Sequence, residues 1–105
     1  MKKNKQIPKS FMLGGIKCNV TIKDKVFLGE EECGGAANDI YSSTIEISRT
    51  VDSSECSEDY QRQSFYHELV HQIFDTLGYF DLSEDERLVQ QFSLLLDQFE
   101  QTKEF

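Results

Sequence analysis

Residues 57–78 read SEDYQRQSFYHELVHQIFDTLG. Within them Tyr66, Leu69, Val70, Ile73, Phe74 and Leu77 recur at spacings of three and four, the period of a helix with one buried face and not the alternation of a strand. Ser57-Glu58-Asp59 is a helix-start signal, because a short polar side chain can accept from an unpaired N–H of the first turn and acidic residues suit the positive end of the helix dipole. Gly78 supplies the stop, since glycine adopts the left-handed conformation of a C-cap without a steric penalty. One long helix is therefore expected here.

Upstream the period changes. Over 16–22 the apolar Ile16, Cys18, Val20 and Ile22 alternate with Lys17, Asn19 and Thr21, as in a strand with one buried face. Residues 26–28 read as a short return strand. Gly29, three glutamates and Cys33-Gly34-Gly35 read as an exposed loop. Residues 36–40 and 44–48 flank Tyr41-Ser42-Ser43 as the arms of a hairpin. Downstream, from Ser83, Leu88, Val89, Phe92, Leu95, Leu96 and Phe99 form a second helical stripe, expected to pack on the first helix and on the sheet. The fold expected is α+β: a small, mainly antiparallel sheet followed by two helices, in a single domain over 1–105 with 1–10 as a flexible tail.

The chain has 105 residues with 19 acidic against 11 basic side chains, a net charge of −8. Such a surface repels phosphate backbones and anionic lipid, so neither nucleic acid nor membrane is an expected partner. Lys2, Lys3, Lys5 and Lys9 cluster near the start, where a basic stretch reads as solvated tail. No apolar run reaches bilayer-spanning length and the start lacks a secretory hydrophobic stretch, so the expected compartment is cytoplasmic. Cys18, Cys33 and Cys56 lack C-x-x-C spacing and read as free thiols.

The chemistry is carried by His67-Glu68-Leu69-Val70-His71, an H-E-x-x-H sequence. Residues four apart on a helix lie one above the other, so both imidazoles can face one ion. Glu68 is turned about 100° from His67, beside the metal and off the ligand line, where a base for a water belongs. The plain alternative is a pair of half-buried histidines at the edge of an apolar face. These are the only two histidines in the chain, and chance would space them so, with Glu second, only on the order of once in five hundred arrangements. The metal reading is preferred, with Zn2+ as cofactor. A catalytic zinc takes three protein ligands and leaves one position open. No third histidine exists, and downstream carboxylates at Ser83-Glu84-Asp85-Glu86 remain. On the helical wheel Asp85 points into the apolar stripe, while Glu84 and Glu86 lie on opposite flanks. Ser83-x-x-Glu86 is also a capping box, in which Glu86 would serve the helix end and no metal.

The loop at 29–35, the hairpin ending Thr44-Ile45-Glu46-Ile47, HELVH, and Glu86-Arg87-Leu88-Val89-Gln90-Gln91-Phe92-Ser93-Leu94-Leu95 together resemble the small phage-type metallopeptidase-like proteins related to the ImmA/IrrE group of minimal gluzincins. The likeness is specific over 64–96 and loose over the sheet. It implies that Glu86 is the third zinc ligand, with Val89 and Ser93 where the family often has alanines that let the helices approach. It implies a zinc-dependent peptidase acting on a cytosolic protein or peptide substrate through a metal-activated water, with Glu68 as general base and acid, and a phage or mobile-element origin. Related zinc peptidases pair substrate with an edge strand, a role that falls here on 44–48. Among Tyr41, Tyr60, Tyr66 and Tyr79, Tyr79 is the phenol to test for oxyanion stabilisation, against simple packing at the helix end. The rival classes are a catalytically silent zinc-binding regulatory or interaction module, and a metal-free interaction module.

Overall fold

The computed structural model describes residues 4–28, 31–32 and 35–105. Strands β1 (Ser10–Leu13), β2 (Ile16–Lys23), β3 (Phe27–Leu28), β4 (Glu31–Glu32), β5 (Ala36–Asp39), β6 (Thr44–Ser48), β7 (Thr50–Val51) and β8 (Ser54–Glu55) precede helices α1 (Glu58–Leu77), α2 (Phe80–Ser83) and α3 (Glu86–Thr102). The main sheet has the order β1-β2-β6-β5. β3 pairs with β4, and β7 with β8, as separate two-stranded ribbons.

The sheet is mixed where a mainly antiparallel one was expected. β1–β2 and β5–β6 are antiparallel, but β2 runs parallel to β6, with Val20 opposite Ile45 and Ile22 opposite Ile47. The intervening chain crosses over through β5 before β6 returns beside β2. This puts β6 in the sheet interior and leaves β5 at an edge, so 44–48, expected as an edge strand, is not one. Interior position fits the sequence, since Ile45 and Ile47 are fully buried. They form the core with Ile7, Cys18 and Phe65 of α1, and Phe11, Val20, Ile22, Ala36, Tyr66 and Leu69 pack around it. Of the acidic loop, Glu31–Glu32 pairs as β4, while Gly29, Glu30, Cys33 and Gly34 lie outside the described residues. Cys18 and Cys56 are free thiols.

The segment expected as a solvated tail is instead docked from residue 4 onward. Ile7 enters the core, and the buried Asn4 side chain donates to the Glu58 carbonyl at 2.9 Å. That bond also ties the chain start to the first turn of α1.

α1 has the boundaries that its caps require. Ser57 accepts from the Tyr60 amide at 3.1 Å, and Gly78 sits at φ +81°. One side of the helix meets β5 and β6 and the other meets α3. α3 packs against α1 and α2 and leaves the sheet to α1. Its buried line is Val89, Ser93 and Asp97, spaced by four, and the expected stripe is largely outside: Phe92, Leu95 and Phe99 are 48%, 66% and 60% exposed. Small side chains at Val89 and Ser93 let the helix axes approach, and Asp97 is buried because it meets a buried cation, with Arg62 Nε donating at 2.7 Å and Nη2 at 3.1 Å. No described helix is long and apolar enough to cross a membrane.

Candidate metal centre

The helical repeat sets His67 and His71 one turn apart on α1, and their ring centroids lie 4.9 Å from each other. α3 runs back along this face and places Glu86, its first residue, opposite both. His67 Nε2 is 3.2 Å from Glu86 Oε2, and His71 Nε2 is 3.1 Å from Glu86 Oε1. One ligand atom of each of the three residues lies within 4.8 Å of the others. Both imidazoles therefore present Nε2, and a carboxylate closes the third side.

Glu86 is in this position because the helix starts elsewhere than the capping-box reading supposes. A short helix, α2, intervenes, and the N-cap of α3 is Asp85, whose side chain accepts from the Leu88 amide at 3.1 Å. Ser83 is buried at the end of α2, where its hydroxyl meets His71 Nδ1 at 3.1 Å. Glu86 is thus free of capping duty. Glu84 is exposed at the end of α2 and is not brought to the histidines among the described residues.

The chemistry of this set fits a divalent cation. Gln90, one turn beyond Glu86, turns its carbonyl Oε1 to His67 Nδ1 at 2.8 Å. An amide oxygen only accepts, so a proton on His67 Nδ1 satisfies this contact and leaves the Nε2 lone pair facing an anionic oxygen. Ser83 Oγ lies 3.5 Å from the His71 carbonyl, to which it donates, and so accepts from His71 Nδ1–H. Lone pairs converging on a carboxylate repel unless a cation or protons stand between them. Two ligand atoms on one tetrahedral zinc at about 2.0–2.1 Å are separated by about 3.3 Å, close to the 3.1 and 3.2 Å found here.

Glu68 faces inward from the same turn. It is 8% exposed, and burial pushes its carboxyl up to about 7, with His67 opposing and the Glu86 charge adding to the rise. Burial holds His71 below its ordinary value, favouring the neutral imidazole that a metal requires. His67, Glu68 and Gln90 form one wall of a cavity of about 280 Å³, and Gly35, Ala36, Tyr60, Gln63 and Ser64 form the rest. Gly35 has φ +144°, and a Cβ there would meet Ser64 Oγ at 3.0 Å and Tyr60 Oη at 3.2 Å, so glycine keeps this cavity open. Tyr79 is half exposed at the N-cap of α2 and does not line it; the phenol on the wall is Tyr60.

The sequence reading missed Gln90, Ser83 and the Gly35–Tyr60–Ser64 wall. Gln90 carried a signal, since it stands four residues after Glu86 on the same helix face. Ser83 has the residue type and place of a cap, but the cap is Asp85. The chain matches no protein-family profile, no curated protein and no solved structure.

Proposed function

We propose that this chain is a small zinc-dependent peptidase of the minimal gluzincin type, with His67, His71 and Glu86 as metal ligands and Glu68 as general base. The observation that carries the reading is the convergence of two Nε2 atoms and one carboxylate, 3.1 and 3.2 Å apart, beside a buried glutamate on a cavity wall. Zinc held there supplies Lewis acidity and lowers the pKa of a water in its open position. Glu68 takes a proton from the attacking water and returns it to the departing amine as the peptide C–N bond breaks. In the metal-free chain burial raises this carboxyl, and a cation held by His67, His71 and Glu86 would draw it down towards the ionised form that a base requires. Gly35 and Ala36 lead from the cavity into β5, whose outer edge has no partner strand in the sheet among the described residues. An extended substrate pairs with that edge and passes Glu68.

One observation favours the rival class of a catalytically silent interaction module. Phe92, Leu95 and Phe99 on α3, with Leu77, Tyr79 and Phe80 before it, expose apolar surface. Digestion of a proteome-derived peptide library by the zinc-loaded protein and its Glu68→Gln variant separates the two. Cleavage by the first and none by the second supports the peptidase; zinc binding without cleavage by either supports the module.

A further inference from the structure

The two histidines need more than helical spacing to act as ligands. Each has two ring nitrogens, and a neutral imidazole carries its proton on one of them. Glu86 competes for that proton: its oxygens lie 3.2 and 3.1 Å from the two Nε2 atoms and would hold an Nε2–H in each case. A proton held there occupies the atom that must donate to the metal. Something on the far side of each ring has to draw it to Nδ1.

We propose that Gln90 and Ser83 are the positioning residues that do this, one for each ring. Gln90 Oε1 accepts from His67 Nδ1 at 2.8 Å, the shorter contact on that ring by 0.4 Å from 2.8 and 3.2 Å. Ser83 Oγ accepts from His71 Nδ1 at 3.1 Å and is itself held by the His71 carbonyl at 3.5 Å. The two acceptors come from different elements, α3 and the end of α2, so the tautomers are set by the same helix packing that delivers Glu86. Both acceptors are also uncharged. An amide or hydroxyl oxygen raises the basicity of the imidazole less than a carboxylate does, so these ligands donate moderately and leave a bound cation more electron-poor. A carboxylate in place of Gln90 would tighten the site.

The tautomer claim stands on the hydrogen bonds alone; its consequence for affinity rests on the zinc reading. The test uses the full chain, zinc-free and labelled with 15N at histidine, in long-range proton–nitrogen correlation spectra near pH 8, above the ordinary imidazole range of about 6.5. Both rings should carry the proton on Nδ1. Gln90→Ala, at an exposed helical position that tolerates alanine, should move the His67 proton to Nε2 and leave His71 unchanged, and zinc Kd by chelator competition should rise about 10–100-fold. Gln90→Glu should return the proton to Nδ1 and bring affinity to the wild-type value or beyond. Ser83→Ala should act in the same way on His71 alone. A wild-type His67 protonated on Nε2, or a Gln90→Ala protein with unchanged tautomer and Kd, overturns the proposal. Nδ1 protonation in a wild-type chain that binds no zinc would leave the positioning intact and remove the metal reading instead.

Discussion

Glu68 is a buried carboxyl whose proton the fold holds more tightly than water does, and that has a measurable cost in the metal-free protein. Its carboxyl is pushed to about 7, chiefly by burial, from an ordinary 4.5. A group whose folded pKa is raised adds stability below the unfolded value and loses it as pH climbs through the folded one. The window is therefore about pH 4.5 to 7, and above it the charged side chain costs the fold on the order of 3 kcal/mol. Solvent screening takes little from this figure because the residue is only 8% exposed. Glu68→Gln keeps the shape of the protonated side chain and removes the charge. In chelator, the variant should match the wild type to within about 1 kcal/mol near pH 5 and exceed it by about 3 kcal/mol near pH 8. In urea titrations that is a midpoint gain of about 1–3 M at pH 8, at a slope of about 1–3 kcal/mol per molar. A constant difference between the two proteins from pH 5 to pH 8 would refute the claim that burial of this carboxyl is unfavourable when it is charged.

Three further outcomes follow from the packing. Glu86→Gln should weaken zinc binding by more than the 10–100-fold typical of an outer partner, whereas Glu84→Gln, away from the histidines, should leave Kd within about twofold in the same chelator competition; the reverse pattern would move the third ligand to Glu84. Asp97→Ala leaves the buried Arg62 guanidinium without its main partner and should cost about 3–5 kcal/mol of unfolding free energy, while the double change Arg62→Met with Asp97→Leu should recover most of it. Asp85→Ala should cost about 0.5–2 kcal/mol in thermal unfolding through loss of the N-cap bond to Leu88, and no cost would deny Asp85 that role.

The parts of this molecule legible in its sequence are those decided by neighbours along the chain. Ser57 and Gly78 bound α1 because a side-chain oxygen and a left-handed glycine act within one turn. The hairpin of β5 and β6 was likewise written around Tyr41-Ser42-Ser43. Strand direction was not legible: the alternation Cys18, Val20, Ile22 fixes which face is buried and is the same for a parallel and an antiparallel partner. The buried face of α3 was misread for a related reason. Its apolar stripe at Phe92, Leu95 and Phe99 is the strongest local pattern, yet the line that faces α1 ends in Asp97, whose burial makes sense only with Arg62 opposite. In the site, the spacing of His67, Glu68 and His71 needed only the helix period. The choice between Glu86 and Glu84 depended on α2, whose four residues displace the start of α3 to Asp85 and turn Ser83 from a cap into a contact of His71.

The seam between α1 and α3 is fastened at two ends by different chemistry. At one end Arg62 and Asp97 form a permanent lock, buried and independent of any ligand. At the other, His67 and His71 meet Glu86 across a gap that only a proton or a cation can make attractive. Val89 and Ser93, both buried, lie between them on α3, and the sheet core lies beyond α1. The helix that carries the carboxylate is thus held at its far end by opposite charges and at its near end by a contact that depends on what stands between the groups. Removing a cation or proton from that end would leave Glu86 facing two lone pairs, while Ile45, Ile47 and Phe65, which pack between α1 and the sheet, take no part in the seam.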